Sequence, residues 1–107
     1  MTIQYEIIHY IENGCDVFNE WYTSLRDMKT RAVIDRTLNK AALGNFGKNH
    51  YCRDGVWEFI IDYGSGYRIY YSLMGKQIII LLCAGTKRTQ NRDIDKAVEY
   101  LKKFKEV

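Results

Sequence analysis

Apolar residues recur along the chain with two different periods, and the switches between them mark out its elements. Residues 3–11 carry Ile3, Tyr5, Ile7, Ile8, Tyr10 and Ile11 and stop before Asn13-Gly14, which predicts a first strand followed by a turn. Asp16 is suited to cap a helix, and Val17, Phe18, Trp21, Tyr22 and Leu25 follow it at helical spacing. The stripe breaks at Asp27 or Met28. Ala32, Val33, Leu38, Ala41 and Ala42 form a second stripe, which Gly44 can end in the left-handed conformation. Two helices with so short a join predict a helical hairpin. Residues 44–55 are polar, aromatic and glycine-containing, and predict a surface loop. Residues 56–62, 67–73 and 77–84 then predict three strands joined by glycine-bearing hairpin turns. Ile78 to Leu82 is apolar on both faces, as in an interior strand. Thr89 is expected to cap a last helix on which Ile94, Ala97, Val98, Leu101 and Phe104 share a face. The predicted order is β-α-α-β-β-β-α. This is a single α+β domain over residues 1–107, with a mainly antiparallel sheet and the helical hairpin packed on one face.

Strand alternation sorts the side chains of the meander. Trp57, Phe59 and Ile61 share one parity, as do Tyr67, Ile69, Tyr71 and Leu73; Glu58, Ile60 and Asp62 take the other in their strand, and Arg68, Tyr70 and Ser72 in theirs. The apolar sets meet on one face only if the hairpin loop holds an odd number of residues. A three-residue loop, Tyr63-Gly64-Ser65, satisfies this and places Ile60 opposite Arg68 and Glu58 opposite Tyr70. The face away from the helical hairpin is then expected to be open and to show Glu58, Arg68 and Tyr70, with Lys87-Arg88 reaching it from the neighbouring strand. Guanidinium forks match phosphate oxygens, and a carboxylate or phenol moves protons, so this set is a candidate phosphate site. The plainer alternative is a surface Glu58–Arg68 ion pair among ordinary tyrosines. With Arg68 facing outward, its loss is expected to cost about 1 kcal/mol or less in stability.

Composition narrows the class. A chain of 107 residues, 47% hydrophobic and 27% charged, fits one globular domain. No segment approaches the roughly 18 apolar residues of a spanning helix, and the N-terminus lacks the basic and apolar regions of a secretory signal. Cys15, Cys52 and Cys83 are odd in number and form no CxxC, which argues against a disulfide framework or zinc cage and fits a reducing, cytoplasmic compartment. The net charge of +3 is uneven: −4 over residues 1–22, +4 over 23–54, zero over 55–84 and +3 over 85–107. Brought together, the two basic segments make an anion-binding surface suited to nucleic acid. Kept apart, they are ordinary surface charge. His9, in the first strand, is expected to be structural, and Cys52 has no evident base to make it a nucleophile.

The ordered motifs Gly55-Val56-Trp57-Glu58, Asp62-Tyr63-Gly64-Ser65-Gly66-Tyr67-Arg68-Ile69-Tyr70 and Gly85-Thr86-Lys87-Arg88-Thr89-Gln90-Asn91-Arg92-Asp93-Ile94, followed by Ala97, resemble the RelE/ParE toxin superfamily. They are most similar to its HigB-like "addiction module killer protein" branch. Upstream, Phe18, Trp21, Leu25 and Asp27, then Arg31, Ala32 and Ile34, then Leu43 to Gly47, fit the same pattern, so that the resemblance spans about 80 residues.

The resemblance implies a RelE-like fold and a type II toxin. Such a protein is a metal-independent endoribonuclease without cofactors that cuts mRNA at the ribosome and is neutralised by a cognate antitoxin, commonly of helix-turn-helix type. It further implies that Arg68 stabilises the scissile phosphate, that Lys87 and Arg88 supply further basic contacts, and that Glu58 is the family acid. Tyr63 and Tyr70 are candidates for base stacking. One departure is clear: Ile60 stands where the family places an arginine two residues after the acid. Arg53, Arg92 and His50 are the candidates to replace that cation. Ile94 stands where some relatives carry a participating tyrosine. Two other functions fit the superfamily: a non-catalytic ParE-like gyrase inhibitor, and a decayed toxin kept as an antitoxin-binding partner.

Overall fold

The computed structural model describes residues 4–106; Ile3, assigned above to the first strand, lies outside them. The expected strand over residues 3–11 is divided. β1 (Glu6–His9) lies in the main sheet. Beyond it, β2 (Ile11–Glu12) and β3 (Cys15–Asp16) form a separate ribbon around Asn13-Gly14. Both turn residues have positive φ, 50° and 79°, as a two-residue type I′ turn requires.

α1 (Val17–Ser24) and α2 (Met28–Ala42) form the expected hairpin. The Asp16 carboxylate accepts from the Asn19 amide at 2.9 Å and starts α1. Asp27 both breaks the first stripe and starts the second helix, accepting from the Lys29 amide and the Thr30 hydroxyl, each at 3.0 Å. Gly44 ends α2 at φ 93° and donates to the Ala41 carbonyl at 2.9 Å.

Residues 44–55 are not a loop throughout. Asn49–Arg53 is a strand, β4, paired antiparallel with β5 (Val56–Ile61). Its Asn-His-Tyr-Cys-Arg sequence has little apolar period because it is an edge strand, with Asn49 and Cys52 half-buried and the rest exposed. The turn Asp54-Gly55, at φ 51° and 85°, was the legible sign of this hairpin. β6 (Tyr67–Met74) and β7 (Ile78–Thr86) complete a four-stranded meander. β7 also pairs in parallel with β1, giving a mixed sheet of order β1-β7-β6-β5-β4.

The cross-strand pairs are those that parity demands, Ile60 with Arg68 and Glu58 with Tyr70. The loop between β5 and β6 has five residues, Asp62 to Gly66, rather than three. The odd count, which is what sets the face, is preserved.

The face expected to be open is covered. α3 (Gln90–Lys105) lies across it and packs Ala97, Val98 and Leu101 on Val56, Tyr70, Ile80 and Leu82. The opposite face carries the helical hairpin, with Phe18 and Ile34 over Phe59, Tyr71 and Leu81 and the Phe59 and Tyr71 rings stacked at 4.0 Å. The architecture is therefore α+β with a mixed five-stranded sheet between helices on both sides. The apolar stripe of α3 and the two-sided apolar character of β7 satisfy one another. No helix among the described residues is long and apolar enough to cross a membrane.

Between β7 and α3, Lys87–Thr89 makes a 3-10 turn. Thr89 does not cap α3 through its side chain; its hydroxyl donates to Asp93 Oδ2 at 2.5 Å and to the Thr86 carbonyl at 3.3 Å. The Asp93 carboxylate fills the space beside Gly85, where a Cβ would overlap it and come within 2.8 Å of the Thr89 hydroxyl. Gly85→Ala is expected to cost about 1–3 kcal/mol by overpacking. In urea unfolding, Gly85→Ala combined with Asp93→Ala should lose less than the sum of the two single changes. Strict additivity would show that the two positions do not compete for space.

Candidate functional site

Glu58 lies on β5 beneath the start of α3, and only 3% of its surface is exposed. Three other elements converge on its carboxylate. Gln90, the first residue of α3, donates from Nε2 to Oε1 at 3.0 Å and to Oε2 at 3.2 Å. His50, its cross-strand partner on β4, brings Nδ1 to 3.3 Å from Oε2. Arg68, on β6, places Nε 3.6 Å from Oε1.

Arg68 is itself 8% exposed, so the expectation of an outward residue with little structural cost does not hold. Its Nε has no hydrogen-bond partner, and its contact with Glu58 is Coulombic. Its Nη1 donates to the Tyr67 carbonyl at 3.0 Å. Removing either charge of such a pair strands the other and typically costs about 3–5 kcal/mol.

Gly66 joins this buried pair to the basic turn. Its carbonyl accepts from the Lys87 amide at 3.2 Å, and its own φ is 85°. A Cβ there would lie 3.6 Å from Lys87 Cβ and 3.9 Å from Arg68 Nη1, so the loop, Arg68 and Lys87 meet at this point. Lys87, Arg88 and Arg92 are exposed, and with Thr89, Gln90 and Asn91 they line an open concavity of about 370 Å³. Among the described residues none of these three cations forms an ion pair. Gln90 belongs both to the concavity and to the shell of Glu58.

The other expected residues are distributed differently. Tyr70 is fully buried under α3 and its hydroxyl has no partner. Burial, reinforced by the charges of Glu58 and Asp93, pushes its pKa above the usual phenol range, so it offers neither a stacking face nor a proton acceptor. Tyr63 is half-buried against the helical-hairpin core. Arg53 is bound to Asp54 at 2.9 Å and to Asp95, and so ties β4 to α3 rather than standing free. Lys48 holds Asp62 at 2.7 Å, which keeps that carboxyl below its usual range. His50 is outward, its side chain 67% exposed. His9 binds Asp16 at 2.8 Å and sets its ring edge on Phe18. Burial, then the Glu58 charge, raises the Cys52 thiol to about 11, so it is protonated at neutral pH.

Gln90 and Asp93 had no assigned role. Their place in the run from Gly85 to Ile94 was the available signal; what each touches depends on how α3 lies on the sheet.

Residues 21–102 match the family described as "Phage derived protein Gp49-like (DUF891)", and the chain belongs to that family. The match includes Glu58, Arg68 and the whole of the basic turn. The chain is also similar to an uncharacterized protein of Haemophilus influenzae, 38% identical over 80 residues, which cover 75% of this chain and 81% of the relative.

Tyr70→Phe removes a buried hydroxyl that has no partner. It should leave stability unchanged or raise it by about 1 kcal/mol. A fall of more than that in the urea midpoint would show that the hydroxyl is satisfied in solution.

Proposed function

We propose that the chain is the toxin of a toxin–antitoxin pair, of the HigB-like branch of the RelE/ParE superfamily. It acts in the cytoplasm as a metal-independent endoribonuclease on ribosome-bound mRNA, and a cognate helix-turn-helix antitoxin neutralises it. Membership of the Gp49-like family supports the toxin–antitoxin context. The observation that carries the nuclease reading is the unpaired rim Lys87, Arg88 and Arg92 beside a buried Glu58 that reaches solvent through exposed His50.

In this reading a 2′-hydroxyl attacks the adjacent phosphorus. A P–O2′ bond forms and the P–O5′ bond breaks, leaving a cyclic phosphate and a free 5′-hydroxyl. His50, oriented by Glu58, takes the 2′ proton. Lys87 and Arg88 contact the dianionic phosphorane, and Arg68 adds charge from behind the rim. Arg92, the third cation of the rim, neutralises charge on the leaving 5′-oxygen in place of the arginine that Ile60 replaces; that oxygen takes its proton from water, and His50 returns the 2′ proton to solvent. Tyr63, half-buried against the helical-hairpin core, is the candidate aromatic contact for a base.

Induced without its partner, the chain should stop translation and leave transcripts with new 5′-hydroxyl ends. Arrest of DNA replication with translation intact would transfer the reading to gyrase inhibition, and no arrest at all would point to a decayed toxin. Arg88→Ala should lower cleavage about 100- to 1000-fold, as for loss of one transition-state donor. Because Arg88 is exposed, its stability should change by no more than about 0.5 kcal/mol. Full cleavage by a folded Arg88→Ala would falsify the site.

Ile60→Arg restores a cation opposite Arg68 at a half-buried position. Single-turnover cleavage of a ribosome-bound message should rise. A well-folded variant with an unchanged rate would show that Arg92 or another group already serves the leaving oxygen.

A further inference from the structure

We propose that His50, Cys52 and Glu58 form a binding site for one zinc(II)-class ion. One donor atom from each lies within 4.8 Å of the other two. The arrangement follows from the strand pair. His50 stands directly across from Glu58, and the ladder slips between Tyr51 and Arg53, leaving Cys52 as the extra residue of a bulge. A bulge re-aims its side chain, and here Cys52 turns toward the core under α3, beside the Glu58 carboxylate. No CxxC spacing announces the site, because the donors come from two strands rather than from a knuckle.

The donor set selects the ion. One imidazole, one thiol and one carboxylate suit zinc or cobalt, whereas magnesium and calcium take oxygen alone. The His50 Nδ1 to Glu58 Oε2 separation is 3.3 Å. Two ligands bound tetrahedrally at about 2.0–2.1 Å stand about 3.3 Å apart, so this pair already has the required bite. Gln90 donates to the same carboxylate, the kind of outer bond that orients a metal-ligating group. Arg68 occupies the Oε1 side and His50 the Oε2 side, which places the ion at Oε2, away from the guanidinium. His50 is exposed, so the ion has an entry path and a fourth position open to water.

Metal binding is separate from RNA cleavage and is measured without RNA. If the ribonuclease reading also holds, an ion here withdraws His50 and Glu58 from proton transfer, and zinc then opposes cleavage.

The test is titration of the full-length, tag-free, reduced and chelator-treated chain with cobalt(II), followed by displacement with zinc. One equivalent should displace the Cys52 thiol proton to solvent and bring up a thiolate-to-cobalt absorption in the near ultraviolet, and zinc should abolish that absorption. Cys52→Ser should lose the band, and His50→Ala should weaken binding by more than about 100-fold, beyond the effect of an outer-shell change. Both variants are to be checked for folding by thermal melts. Cys15→Ser, altered on the separate β2–β3 ribbon, should bind as the parent does. The proposal fails if the parent shows no band at one equivalent, if the band persists in Cys52→Ser, or if folded His50→Ala binds as tightly as the parent.

Discussion

A carboxylate withdrawn from water must be met by donors or cations, and Glu58 imposes that condition on most of this structure. Its partners come from β4, β6 and the first turn of α3, so satisfying one side chain sets how three strands and a helix sit together. A one-residue slip of β5 would turn Glu58 into the aromatic core around Phe59 and Tyr71 and would leave Arg68 buried without an anion. The odd-numbered loop before β6 and the two-residue turn before β5 guard against that slip. The carboxylate and its register are one constraint.

β7 organises the rest. It has β1 on one side and β6 on the other, and it is apolar on both faces. Two covers are therefore needed, and the chain supplies the helical hairpin for one and α3 for the other. The last strand leads into α3 through a turn with no slack. Gly85 makes room for Asp93, Asp93 holds Thr89, and the short helix between carries Lys87 and Arg88 outward. The same packing that closes the second face builds the basic rim at its edge.

Charge is used unevenly. Lys48 and Arg53 are consumed by Asp62 and by Asp54 and Asp95, where they fasten a loop and an edge strand. Lys87, Arg88 and Arg92 are exposed and, among the described residues, enter no ion pair. Arg68 is the intermediate case, a buried cation beside Glu58 that meets Lys87 at Gly66. Under the ribonuclease reading it positions and polarises, and the exposed cations make the contacts.

Much of this was legible in the chain itself. The period changes located the helical hairpin, the meander and α3, and parity alone paired Ile60 with Arg68 and Glu58 with Tyr70, because neither depends on anything beyond neighbouring residues. β4 escaped notice because an edge strand needs no apolar period, although Asp54-Gly55 marked its turn. The parallel contact of β1 with β7 joins residues some seventy positions apart, and no local pattern encodes it. Which face would stay open was likewise beyond reach. An amphipathic helix declares that it will cover something, but its apolar stripe fits either side of a sheet. The sequence by itself therefore determined the helical hairpin, the strands from β5 to β7, α3, the pairing of β5 with β6 and the identities of the charged residues. Only the tertiary structure decided which of those charges were buried in pairs and which faced solvent, because that depends on where α3 comes to rest.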